Sequence, residues 1–131
     1  MKTEFDQSVV RRLDVAQDMV DIAADFSMTV RTRQAGPPER VAAMTVGIVD
    51  MTENAPHGGE LHPDGDEFLH VISGKVRITA DRLDEPVILG AGESCIVRAN
   101  EWHKVDVMEP VRLLHMTPGP GGDHRPLEES E

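Results

Sequence analysis

A chain of 131 residues with 39% hydrophobic side chains can fill one core but not two, so a single domain is expected. Its 24 acidic residues against 13 Lys plus Arg give a formal charge of −11, which lacks the cationic footprint that nucleic acid or an anionic membrane surface demands. Cys95 stands alone, which excludes an intrachain disulfide; with no apolar leader and no membrane-length apolar run, the chain is expected in the cytoplasm.

Residues 7–26 carry no Gly or Pro, and Val15, Met19, Ile22, Ala23 and Phe26 recur at spacings of three and four, predicting an amphipathic helix. Met28 and Val30 then alternate with polar residues, predicting a first strand over 27–33. Turn chemistry at Ala35-Gly36-Pro37-Pro38 ends this helix and strand extension, which is assigned to residues 1–39. Residues 40–117 read as short strands at 41–51, 59–62, 67–73, 76–80, 86–89, 94–98, 103–107 and 111–116, with Gly, Pro, Asn and Asp at the breaks. No helical pattern separates them, so a parallel sheet is excluded and an antiparallel sandwich or closed barrel remains: the fold class is all-β. Residues 118–131 are a Pro/Gly-rich acidic tail in which no regular structure is expected. Cys95 lies in an alternating run and is expected to pack as an inert, small apolar group.

The chemistry is concentrated in histidines and carboxylates. Residues two apart in a strand share a face, so Glu60 and His62 can converge on one point. The turn at Pro63-Asp64-Gly65-Asp66 can bring Glu67 back beside them. His103 joins them only if the sheet closes on itself. His62, Glu67 and His103 would then be a two-histidine, one-carboxylate metal set with Glu60 as a fourth ligand and open positions for substrate or oxygen. Two carboxylates favour Fe(II) or Mn(II), with Zn(II) and Ni(II) also able to fit.

The run from Glu60 to Gly74 resembles the first cupin motif, G-x5-H-x-H-x3-4-E-x6-G, with four residues between His62 and Glu67 and six between Glu67 and Gly74. The run from Gly92 to His103 resembles the second, G-x5-P-x-G-x2-H-x3-N. Glu60 stands where the motif has its first histidine, Arg98 and Asn100 where it has Pro and Gly, and Val107 at its final Asn. The resemblance covers about 40–116. It implies a small single-domain cupin: a jelly-roll barrel, the double-stranded β-helix, with metal held by Glu60, His62, Glu67 and His103. It also implies an enzyme acting on a small organic molecule, a dioxygenase (an oxidoreductase), an isomerase or a lyase.

Glu60 and His115 are the candidate catalytic bases, His115 because it alternates with Leu113 and Val111 on an inward face, and Trp102 is expected to shape the pocket. His57, on a loop, is an alternative ligand to Glu60. His70 lies at an odd offset from Glu67 and should point to the opposite face; His124 and Arg125 are expected in solvent unless the tail covers the pocket mouth. The resemblance also implies a homodimer, to which the apolar Val9, Val10, Leu13 and Val15 of the N-terminal segment would offer surface that one barrel does not bury. The alternative function is a non-catalytic cupin that binds a metabolite for sensing or storage without a stable metal.

Overall fold

The computed structural model describes residues 9–34, 41–119 and 122–125. Among these residues nine strands run in chain order: β1 Asp18–Ile22, β2 Met28–Thr32, β3 Met44–Met51, β4 Gly59–Leu61, β5 Glu67–Ala80, β6 Val87–Gly90, β7 Ser94–Val97, β8 His103–Pro118 and β9 Asp123–Arg125. All the pairings are antiparallel, as expected of an all-β chain. Among the described residues no helix is long and apolar enough to cross a membrane.

The helix expected over 7–26 is a correction; residues 7 and 8 lie outside the described residues. A single turn forms, in which Gln17 and Asp18 N–H both donate to Asp14 O, and the chain then extends into β1. Tertiary partners outweigh the weak helical periodicity. Val20 pairs with Val30 on one side and Val46 on the other. Asp21 accepts two hydrogen bonds from Arg31 (2.8 and 3.0 Å) and one from the buried Thr45 hydroxyl (2.7 Å). Phe26, read as part of the apolar stripe, sits instead at the hairpin tip with φ of 70° and is 83% exposed. There Asp25 accepts from both the amide and the hydroxyl of Ser27.

β5 and β8, each read from sequence as two strands, are continuous and form the backbone of the fold. Strand alternation puts Glu67, Leu69 and Val71 on the inward face of β5, and Val76 and Ile78 after a change of phase. That change occurs through register shifts between Val71 and Val76, where Gly74 adopts φ of 89° and supplies the extra residue of a bulge. β8 keeps one phase throughout: His103, Val111, Leu113 and Thr117 are all buried. The core is Leu69, Val71, Val76, Ile78, Leu89, Val97, Val111 and Leu113, with Val49, Met51, Cys95, Val105 and Val107 packed against it. Val71 is fully buried. Truncating it to Ala removes two methyl groups and leaves a cavity, so Val71→Ala is expected to cost about 2 kcal/mol, read as a lower urea midpoint at unchanged m-value.

The ring closure expected of a barrel is also corrected. The hydrogen-bonded path β2-β1-β3-β8-β4-β9 branches to β5, β6 and β7 and does not return on itself among the described residues. The long β5–β8 ribbon folds over instead. Glu67 and Ala80 would be roughly 43 Å apart on a straight strand. Yet His103 pairs with Ala80 and its Nε2 lies 3.0 Å from Glu67 Oε1. The bulge at Gly74, where a Cβ would overlap Pro110 O, permits this fold-over.

The tail holds a strand that the sequence reading did not expect. β9 pairs with β4, setting Gly59, Glu60 and Leu61 opposite Arg125, His124 and Asp123. Arg125 donates to both carboxylate oxygens of Asp81 and lies 4.3 Å over the Trp102 ring.

Candidate metal centre

Three pieces of backbone deliver the four side chains of the cluster. Glu60 projects from β4 directly opposite His103 at the start of β8, and His62 follows two residues later on the same face. Glu67 opens β5 and sits beside Thr117 near the end of β8. Asn100, with φ of 62°, takes the left-handed conformation in the turn before His103; Asn tolerates this better than most residues. Its amide donates to His62 O at 3.1 Å, tying the two histidine-bearing segments together.

The four expected metal ligands meet. Ligand atoms of Glu60, His62, Glu67 and His103 all lie within 4.8 Å of one another. His62 Nε2 is 3.3 Å from Glu60 Oε1 and 3.5 Å from Glu67 Oε2; His103 Nε2 is 3.5 Å from Glu60 Oε1 and 3.0 Å from Glu67 Oε1. Glu67, His62 and His103 are buried, whereas Glu60 keeps a quarter of its side chain exposed and marks the open side.

Two details decide whether a cation suits this cluster. His103 Nδ1 lies 3.0 Å from Glu101 O; a carbonyl only accepts, so Nδ1 carries a proton and Nε2 is left for the site. Both ring nitrogens of His62 are buried without a hydrogen-bond partner, a condition that costs about 1–3 kcal/mol unless something else satisfies them. A cation between Glu60, Glu67 and His103 satisfies Nε2. The residues therefore fit a divalent metal, and the donor set of two imidazoles and two carboxylates suits Mn(II), Fe(II), Zn(II) or Ni(II).

Without a cation the cluster compensates its own charge. Burial opposes protonation of His103, but Glu60, Glu67 and the Glu101 carbonyl outweigh it and push the imidazole pKa up to about 10. Burial likewise opposes ionisation of Glu60, and the close approach of the His103 and His62 imidazoles outweighs that, holding its carboxyl well below the usual range. Because the folded pKa of His103 lies above its free value of 6.5, this stabilisation is fully present below about pH 6.5 and is lost as pH rises to about 10. Chelator-treated protein should therefore show a Tm that falls through that window, and His103→Gln should remove most of the slope. An equal slope in the variant would show that His103 is not the group responsible.

His115 does not reach the cluster directly. Thr117 spends its hydroxyl proton on Glu67 Oε2 at 2.6 Å and so accepts from His115 Nδ1 at 2.8 Å. Burial holds His115 below the usual imidazole pKa, and a Cβ on Gly47 would come within 2.8 Å of its Nε2. Thr117 escaped the sequence reading, although its position two residues after His115 on an inward face was the available signal. The Glu101 carbonyl gave none, because a backbone partner has no side-chain signature.

The remaining histidines divide as follows. His70 bonds Ser94 Oγ at 2.6 Å, away from the cluster, in line with its odd offset. His57 Nε2 and His124 Nε2 lie 3.9 and 3.5 Å from Glu60 Oε2, the oxygen that faces away from His103. His57 thus approaches Glu60 rather than replacing it, and His124, expected in solvent, is brought to the mouth by β9. Trp102 is likewise at this mouth, under Arg125. Cys95 is half-buried and its thiol pKa is raised by burial, consistent with an inert packing group.

The family model for the cupin domain matches residues 47–117, which takes in all four of these side chains. The chain belongs to the cupin family. Solved structures show the same fold. Oxalate decarboxylase from Bacillus subtilis is 22% identical over 68% of this cupin, with a TM-score of 0.52. A cupin-2 domain protein from Shewanella frigidimarina is 20% identical over 67% of this chain and 84% of its own, with a TM-score of 0.51. The cupin domain of Schizosaccharomyces pombe Cnp3 is 14% identical over 72% of this chain and 74% of its own, with a TM-score of 0.50. The cupin matches only 24% of the oxalate decarboxylase chain. No curated protein matches its sequence.

Proposed function

We propose that this cupin is a metal-dependent enzyme acting on a small organic molecule, by oxygenase or by carbonyl-activating isomerase or lyase chemistry. The observation that carries the reading is His62: a buried imidazole with neither nitrogen satisfied, facing two carboxylates and a second imidazole of fixed tautomer. Mn(II) centres occur in oxalate decarboxylase from Bacillus subtilis, and with two carboxylates in the set we assign Mn(II) or Fe(II) ahead of Zn(II) and Ni(II). A divalent ion bound here supplies Lewis-acid polarisation of a substrate oxygen.

The protein's own groups do the rest. His62, Glu67 and His103 hold the ion, and the carbonyl of Glu101 and the hydroxyl of Thr117 orient two of them. His115 positions Thr117 and so acts on Glu67 at one remove. Glu60, partly exposed and ionised, either completes the ligand set or accepts a proton from substrate at the open side. Substrate enters over Glu60, because Glu67 and His103 are closed off from solvent.

One observation favours the second reading, a metabolite-binding cupin without a stable metal: His103 as an imidazolium between Glu60 and Glu67 balances much of the charge without an ion. Elemental analysis of protein purified without chelators separates the two. Near one equivalent of Mn or Fe supports the enzyme. A ratio near zero that added Fe(II), Mn(II), Ni(II) or Zn(II) does not restore supports the binder. We take the protein to be cytoplasmic and a homodimer, with Val9 and Val10, 80% and 62% exposed, contributing apolar surface. Sedimentation as a monomer at micromolar concentration would refute the dimer.

A further inference from the structure

Glu60 presents its two oxygens to two different pairs of imidazoles. Oε1 faces inward, 3.3 Å from His62 Nε2 and 3.5 Å from His103 Nε2. Oε2 faces outward, 3.5 Å from His124 Nε2 and 3.9 Å from His57 Nε2. The outer rings meet edge to face with centroids 4.8 Å apart, and ligand atoms of His57, Glu60 and His124 lie within 4.8 Å of one another.

We propose that His57, Glu60 Oε2 and His124 form a second metal site at the mouth of the first, and that Glu60 bridges two divalent ions. The inference goes beyond the function proposed above and rests on it only through the shared Glu60. Two imidazoles and one carboxylate oxygen suit Zn(II), Ni(II) or Mn(II) and leave positions open. His57 and His124 are 22% and 38% exposed, so an ion reaches them from solvent and a substrate oxygen can join it.

The backbone holds the outer pair in place. The β4–β9 ladder sets His124 opposite Glu60, and Arg125 is fixed by Asp81 and Trp102. Gly122 packs on Leu61 O so closely that a Cβ would overlap it. One contact must yield: Gly59 N–H donates to His57 Nδ1 at 3.2 Å. Binding through Nε2 would need the tautomer with its proton on Nδ1, which could no longer accept from the Gly59 amide. The identity of residue 60 is what makes a bridge possible. A neutral histidine there offers the inner ion one nitrogen and keeps a proton on the other, whereas a carboxylate offers an oxygen to each ion.

The test uses the full chain, stripped with chelator, loaded with Zn(II) or Mn(II) alone and freed of excess ion. Two ions per chain are expected in the wild type, falling to one in His57→Ala/His124→Ala and in Glu60→His. Circular dichroism checks that both variants remain folded. The Mn(II)-loaded wild type should give the electron paramagnetic resonance of a coupled pair, and both variants that of an isolated ion. One ion in the wild type that survives the double histidine variant but not His62→Ala overturns the second site and leaves the inner one standing. One ion with the reverse pattern overturns the bridge and the inner reading together, as does no ion at all. Two ions without spin coupling overturn the bridge.

Discussion

His62→Leu is expected to lower the affinity for Mn(II) by at least about 100-fold while changing the stability of the chelator-treated protein by less than about 1 kcal/mol. Altering even a group that merely orients a metal ligand typically costs 10- to 100-fold, and His62 is assigned as a ligand. The metal-free stability behaves differently because His62 is 6% exposed with both ring nitrogens unsatisfied. Leucine is of similar volume and removes two unpaired polar atoms, which offsets the packing change. A structural histidine gives the opposite pattern, a loss of stability that does not depend on metal. Calorimetric titration with Mn(II) and urea denaturation in chelator read the two effects separately. Unchanged affinity, or a large loss of stability in chelator, would remove His62 from the ligand set.

Gly74→Ala is expected to cost more than about 3 kcal/mol and to abolish metal binding with the fold. The residue has φ of 89°, which alone costs a non-glycine residue about 1–2 kcal/mol. A Cβ there would also overlap Pro110 O and lie 2.7 Å from Val111 Cα, and both are backbone atoms that cannot rotate away. Gly92→Ala is the control. Its φ is 85°, and a Cβ meets nothing within 4 Å, so only the conformational cost of about 1–2 kcal/mol applies. Urea denaturation of the two variants therefore separates backbone conformation from collision. Equal losses would mean that the ribbon does not fold over at Gly74 as closely as described.

The motif spacing marks Glu60, His62, Glu67 and His103 as one candidate set, and strand alternation puts His115 on the inward face of β8. Both inferences use short-range geometry, in which a period of two residues fixes the side to which a side chain points. The N-terminal helix failed on the same kind of evidence. Val15, Met19, Ile22 and Ala23 have helical spacing, but Val20 and Asp21 find partners on β2 and β3 that lie 8 to 26 residues away in the chain. No local pattern records such partners. β9 was missed for a related reason: Asp123–Arg125 has no strand character of its own and is extended because β4, Asp81 and Trp102 hold it so.

The sequence by itself determined that this is an all-β chain of the cupin kind and which side chains make up its candidate metal cluster, because residue identity and alternation are local properties. Only the tertiary structure decided how they meet. It showed a ribbon folded at Gly74 where a closed ring was expected, Thr117 and the Glu101 carbonyl orienting Glu67 and His103, and Glu60 shared between an inner and an outer pair of imidazoles. Those relations depend on where segments distant in the chain come to rest against one another, and that is set by packing and long-range pairing.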